Sequence, residues 1–228
     1  INRETARMRG EVYDMSDDLE RYKSEGNYEE EPGFGFAEEA DTEDKEAQLL
    51  DAAFNGETEA VKRLLEAGAA IDARDSLGLT PIHFAADGGH KDVVKLLIEA
   101  GADIDGMDDE GGTPLHYAAT GGNTDTVRLL IESGADVDGN MDVCGPTPLH
   151  CAAEFANTET ARLLIKAGAD IEAKASTGYT PLHYAAGFLA DSKDHAETAR
   201  LLIESGADIE ALDEDGWTPL HLAARFGN

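Results

Sequence analysis

Apolar and small residues recur along most of this chain in short bursts at helical spacing. "LHYAA" (115–119) puts Leu115, Ala118 and Ala119 on one face, and "DTVRLLIESG" (125–134) puts Val127, Leu130 and Ile131 on one face of a second helix. Polar, Gly-rich stretches separate the bursts. In "DEGGTP" (109–114) Gly supplies positive φ and the acidic residues favour a turn. Thr113 then suits an N-cap, and Pro114 the first helical position, where a missing N–H costs nothing. Gly122 ends the first helix and Gly134 the second, and "ADVD" (135–138) runs extended into the next turn. The pattern predicts a helix–turn–helix–hairpin unit. One such unit cannot bury its apolar faces, so units must stack.

The unit recurs. "TPLHYAA" stands at 113 and again at 180, with "TPIHFAA" at 80, "TPLHCAA" at 147 and "TPLHLAA" at 218. The leading threonines Thr80, Thr113, Thr147, Thr180 and Thr218 are spaced by 33, 34, 33 and 38 residues. One period earlier, "QLLDAAFNG" (48–56) keeps the paired alanines and the glycine but not Thr, Pro or His. Residues 44–228 therefore divide into a degenerate first repeat, four full repeats and a truncated sixth, behind a non-repeat extension over 1–43.

The pattern D-x-x-G-x-T-P-L-H-x-A-A-x-x-G, followed by V-x-L-L-I-x-x-G-A-D, resembles the ankyrin repeat over about residues 44–228. The resemblance implies an all-α ankyrin-repeat solenoid of stacked helix–turn–helix–β-hairpin units. First helices would line a concave side, second helices a convex back, and hairpins would project as fingers. Four departures stand out. Acids occupy a slot where the family often has Asn: Asp72, Asp105, Asp138, Glu172 and Glu210. Ala175 replaces the turn Asp, which should loosen that hairpin. Ala156 replaces a helix-ending Gly. One residue is added near Asn140 and five within "GFLADSKDHAE" (187–197), the latter expected as a surface loop at about 188–194.

The repeat histidines His83, His116, His150, His183 and His221 invite a metal reading. Stacked helices lie roughly 8–10 Å apart, whereas zinc takes His nitrogens at about 2.0–2.1 Å, so repeat-spaced histidines cannot share one ion. The resemblance implies instead that each bonds to backbone and ties turn to helix. His90 and His195, near the starts of second helices, are expected to be solvated. Residues 211–222 mimic a calcium loop only faintly, with Ala211 and Leu222 where acids are needed. "GFGFAE" (33–38) lacks the third glycine of a dinucleotide loop. Neither Cys144, in a hairpin, nor Cys151, in a helix, has a visible base and orienting group. No catalytic set, metal site or cofactor is expected, and the chain reads as a non-enzyme.

Two slots could meet a partner. After the repeat His stand Phe84, Tyr117, Cys151, Tyr184 and Leu222; before the repeat Thr stand Leu79, Gly112, Pro146, Tyr179 and Trp217. Phe155, Phe188 and Phe226 end first helices and extend the strip. These residues are read either as padding between repeats or as binding anchors, Trp217 and Tyr179 foremost. The fingers add Asp108, Asp109, Glu110, Asp142, Asp213, Glu214 and Asp215.

Charge sharpens the choice of partner. The net charge of −30 repels nucleic acid and anionic membrane and favours a basic protein. Bases concentrate on second helices, several one turn from a Glu (Lys62–Glu66, Lys95–Glu99, Arg128–Glu132, Arg200–Glu204), so that back neutralises itself. Two cysteines make no disulfide framework and point to an intracellular, reducing compartment. No run of about 18 apolar residues is present, so no integral membrane protein is expected. The acidic extension holds one candidate helix, from Ser16 to Gly26, and too little apolar surface to fold alone. It is expected either to fold back on the solenoid or, the reading favoured, to lie on a larger assembly. The start at Ile1, and the uncovered face of Leu220, Ala223 and Ala224 in the sixth repeat, lead us to expect further chain or a partner at the ends. The function expected is a protein–protein interaction module, a scaffold or adaptor subunit of a hetero-complex. The alternatives are a regulatory or chaperone-like binder of a basic client segment, and the binding part of a larger enzyme.

Overall fold

Helices as short as these are marginal alone, because nucleation fixes several residues for each hydrogen bond gained. Their apolar stripes leave water only by packing on one another. The computed structural model describes residues 39–139, 141, 145–187 and 193–226. Among them run eleven helices: α1 (Glu39–Phe54), α2 (Thr58–Glu66), α3 (Pro81–Asp87), α4 (Lys91–Glu99), α5 (Pro114–Thr120), α6 (Thr124–Glu132), α7 (Pro148–Glu154), α8 (Thr158–Ala167), α9 (Pro181–Ala186), α10 (Lys193–Glu204) and α11 (Pro219–Phe226). No strand occurs among the described residues; the fingers are turns. Residues 1–38 of the extension expected over 1–43, the added residue at Asn140, the finger residues Asp142 and Cys144, and residues 188–192 of the insertion, Phe188 among them, lie outside the described residues; residues 39–43 are helical in α1, and Lys193 and Asp194, expected in the loop, begin α10.

Residues Asp41–Asn228 form one compact unit. First helices α3, α5, α7, α9 and α11 pack in series, second helices α2, α4, α6, α8 and α10 do the same, and each first helix packs on its own second helix from α3 to α10. Ile82, Leu115, Leu149 and Leu182 occupy one slot of successive first helices, and all are buried. Beside them the paired alanines, such as Ala118 with Ala119, are fully buried and let helices approach closely. Val94, Val127 and Ala161, with Leu97, Leu130, Leu164 and Leu202, line the second-helix side. In α11 the first of these slots, Leu220, is 74 % exposed.

Burial of backbone ends demands hydrogen-bond partners, and two sets of side chains supply them across repeats. In the first, Thr80, Thr113, Thr147 and Thr180 are N-caps with extended backbone, followed by Pro at the first helical position. Each forms a capping box in which His takes the place usual for Glu or Gln. The Thr N–H donates to His Nδ1 at 3.0–3.2 Å. Nδ1 is thus an acceptor, which leaves the proton on Nε2. Nε2–H then donates to a carbonyl one repeat ahead: His83 to Gly112, His116 to Pro146, His150 to Tyr179 and His183 to Trp217, all at 3.0–3.1 Å. The role implied for these histidines by the family resemblance is the one they have.

The second set reaches backward. His90 Nε2 donates to the Phe54 carbonyl at 2.8 Å and His195 Nε2 to the Glu154 carbonyl at 2.9 Å. Asn123 and Asn157 do the same from the equivalent slot, to Ala86 and to Ala119. The expectation that His90 and His195 are solvated is therefore overturned: His90 is half-buried and His195 buried. The carbonyls at the end of a short helix lack intrahelical partners, and these side chains meet that need.

Burial favours the neutral imidazole at His83, His116, His150 and His183. It pushes His116 and His150 down to about 4, against backbone carbonyl contacts that act the other way. A folded pKa below the unfolded value means that acid favours the unfolded chain. The stability these two histidines protect is full above pH 6.5 and declines as pH falls toward 4. Between pH 7 and 5 we expect a loss of about 2 kcal/mol for each of them. Urea midpoints across that range measure it, and His116→Gln should flatten the slope; an unchanged slope counts against a neutral buried ring.

One residue carries backbone strain. Gly56, Gly89 and Gly122 end first helices at φ 72, 68 and 66°, and Ala156 takes the same slot at φ 55°, the one non-glycine with positive φ among the described residues. A side chain in that region costs about 1–2 kcal/mol. At Gly122 a Cβ would also stand 2.5 Å from Asn157 Oδ1. Ala156→Gly should raise stability by about 1 kcal/mol, and Gly122→Ala should lower it by more, both read from urea unfolding.

Candidate protein-interaction surface

The aromatic and apolar strip divides into two parts. Leu79, Phe84, Tyr117 and Leu222 are buried, at 3, 1, 7 and 2 % exposure, so as a contact surface they are corrected: they pad neighbouring repeats. The slot after His packs against the preceding unit. Phe84 meets the Phe54 ring edge-on at 6.0 Å, and Tyr117 meets His83 at 5.5 Å. Phe155, Tyr179, Tyr184 and Trp217 stay half-buried. Tyr179 stacks on His183 at 5.4 Å and 12°, and meets Tyr184 edge-on at 6.0 Å. His183 in turn holds the Trp217 carbonyl, which ties the two aromatic slots together.

The fingers are built from carboxylates that fold the chain on itself. Asp75 Oδ1 accepts the N–H groups of Leu77 and Leu79; Asp108 accepts those of Glu110 and Gly112; Asp213 accepts those of Asp215 and Trp217. Ala175 forgoes both bonds. Its finger still closes through the backbone, Ala175 N–H to Tyr179 O at 2.9 Å and Gly178 N–H to Ala175 O at 2.7 Å. Lys174 Nζ donates to the Leu212 carbonyl and Arg74 to the Met107 carbonyl, so bases in one slot pin adjacent fingers. Arg74 also pairs with Asp109 at 3.1 Å. Glu110 is half-buried, whereas Asp109 and Asp215 are exposed. On the second helices Lys95–Glu99 closes at 3.8 Å and Arg162 pairs with Glu159 at 3.2 Å, exposed contacts worth little.

A role for the acids that replace the family's Asn was not legible in advance. Asp105 accepts the Asp136 N–H, Asp138 the Asp170 N–H and Glu172 the Asp208 N–H, at 2.8–2.9 Å. Within each repeat Asp103, Asp136, Asp170 and Asp208 accept the N–H two residues on. The result is a row of carboxylates bonded to backbone from Asp103 to Asp208. Its sequence signal is the acid pair recurring in "ADID", "ADVD" and "ADIE".

Catalytic chemistry finds little to use. Burial, with Glu154 adding, pushes the Cys151 thiol up to about 12, far from a thiolate at neutral pH. Both ring nitrogens of His83, His116, His150 and His183 are engaged by backbone. No group of three or more His, Cys, Asp or Glu among the described residues is arranged to hold a metal ion.

With the histidine bridges, the stacked helix pairs and the fingers in place, comparison with known families is decisive. A model of ankyrin repeats in three copies matches residues 49–141 and 138–210, and a single ankyrin-repeat model matches 215–228. The chain belongs to the ankyrin-repeat family. Ankyrin repeats are generic protein–protein interaction modules, so protein partners are implied. No curated protein matches the chain. No helix among the described residues is long and apolar enough to cross a membrane.

One slot tests the geometry of the ankyrin finger directly. Tyr117 donates its hydroxyl to Asp108 Oδ2 at 2.5 Å. The equivalent pair one repeat earlier is Phe84 and Asp75, where no hydroxyl exists and Asp75 Oδ2 is buried without a hydrogen-bond partner. Burial first, then Asp108 and Asp109, raise the Asp75 carboxyl. Phe84→Tyr should supply the missing bond, stabilise the fold by about 1 kcal/mol and lower the Asp75 pKa. Chemical denaturation and carboxyl NMR titration measure both; a destabilised variant means that the slot lacks room for the hydroxyl.

Proposed function

We propose that this chain is a non-enzymatic scaffold or adaptor subunit of a multiprotein assembly in a reducing, intracellular compartment, and that it holds a basic protein partner. The observation that carries the reading is the half-buried run Tyr179, Tyr184 and Trp217, left at the surface where Leu79, Phe84 and Tyr117 of earlier repeats are buried. Aromatic side chains on a rigid backbone lose little entropy on binding and serve as anchors. Their neighbours Asp213, Glu214 and Asp215 are acidic, in a chain whose net charge is −30. Such a surface attracts a cationic segment and speeds its encounter. Asp109 and Glu110 extend the acidic rim to an earlier finger. Phe155, half-buried at the end of α7, is a further candidate contact.

The test is a cross-linking pull-down with the full chain and a Tyr179→Ala, Trp217→Ala variant, both checked for folding by circular dichroism. Partners captured by the wild type and lost by at least about tenfold with the variant are expected, since two hot-spot truncations cost upwards of about 2 kcal/mol. Equal capture by both chains counts against this surface.

A further inference from the structure

The corner of the strip at Trp217 already holds a cation. The Arg225 guanidinium lies 5.2 Å from the Trp217 ring centroid and 5.6 Å from that of Phe226. An indole face carries negative quadrupolar potential, and a cation within about 6 Å is attracted to it. Trp217 is fixed at its base: Asp213 Oδ1 accepts its N–H at 2.7 Å, His183 donates to its carbonyl at 3.1 Å, and its ring meets His221 at 6.1 Å. Its finger carries three consecutive acids, Asp213, Glu214 and Asp215. Their influence reaches the neighbouring aromatic: after burial, Asp213 and Asp215 raise the Tyr179 phenol, while Arg225 acts in the opposite direction. Two half-buried aromatic rings, a carboxylate rim and one intramolecular guanidinium thus share a single electrostatic neighbourhood.

We propose that this corner seats an arginine or lysine side chain of a partner segment with apolar flanks, and that Arg225 occupies the seat in the free chain. The inference rests on the protein-binding reading above and gives it a partner chemistry. Arg225 is exposed, so the side chain leaves the ring at small cost. The incoming cation gains the indole face and the field of Glu214 and Asp215, and its apolar neighbours cover Tyr179 and Tyr184. Removing Arg225 vacates the face and deletes a like charge, so it favours the partner twice. A merely structural Arg225 predicts no gain.

Trp217 is the one tryptophan in the 228 residues, so its emission reports on this corner alone. The probe is a capped Leu-Arg-Leu-Arg-Leu peptide, titrated against the full chain at low salt with calorimetry in parallel; its counterpart has Glu in place of Arg. We expect saturable binding of the Arg peptide with a change in Trp217 emission, and none of the Glu peptide. Glu214→Gln with Asp215→Asn should weaken binding about tenfold, and Arg225→Gln should tighten it about threefold. Both substitutions keep the turn bonds of Asp213 intact. Equal binding of the two peptides, no binding of either, or an Arg225→Gln variant that binds no tighter overturns the proposal. A partner captured through Tyr179 and Trp217 alongside a silent Arg peptide would keep the interaction surface and reject only its cationic occupant.

Discussion

A neutral imidazole that spans two repeats is the interaction on which the rest of this structure depends. His83, His116, His150 and His183 each accept the N–H of their own Thr and donate to a carbonyl about thirty residues ahead. One ring therefore closes a helix start, fixes the adjoining finger and ties that finger to its neighbour. The helices are too short to persist unaided, and their buried ends would otherwise leave backbone groups unpaired. Protonation would place a second N–H against the Thr N–H, which is why burial and geometry agree on the neutral ring.

The stitch from the other end is chemically different and does the same work. His90, Asn123, Asn157 and His195 all donate to the carbonyl end of the preceding first helix. A third line uses carboxylates, with Asp105, Asp138 and Glu172 accepting N–H groups of the following repeat. Three registers of side-chain-to-backbone bonds thus run along one stack of buried Leu and Ala. The carboxylate line bears on function, because it spends acidic side chains on structure and leaves the row negative. A large negative charge opposes compaction through self-repulsion; bonding the carboxylates to backbone N–H groups offsets part of that cost and keeps the field.

The same economy shapes the surface. Arg74 and Lys174, bases within the finger region, donate to backbone carbonyls of the next finger. Finger tips keep acids such as Asp109, Glu214 and Asp215 at the surface. Against that rim Tyr179, Tyr184 and Trp217 stay half-buried, where Ala175 replaces the turn Asp and the following finger carries Trp217. The half-buried aromatic residues and the Ala175 departure fall in the same part of the stack.

Period, helix faces, caps and turn residues were legible in the sequence because each is decided within one unit: Thr and Pro start a helix, paired alanines pack it, and Gly ends it. The backbone bonds of the repeat histidines were implied by the family resemblance rather than by spacing. What the sequence alone could not decide was set by atoms far along the chain. Phe84 and Tyr117 look like the same surface slot as Tyr184, yet contacts with Phe54 and with His83 and Asp108 bury them. His90 and His195 look like solvated helix-start residues, yet their partners are carbonyls 36 and 41 residues earlier. Local pattern fixes which way a side chain leaves its own helix; whether it meets water or another repeat depends on packing between units, and that is a property of the tertiary structure.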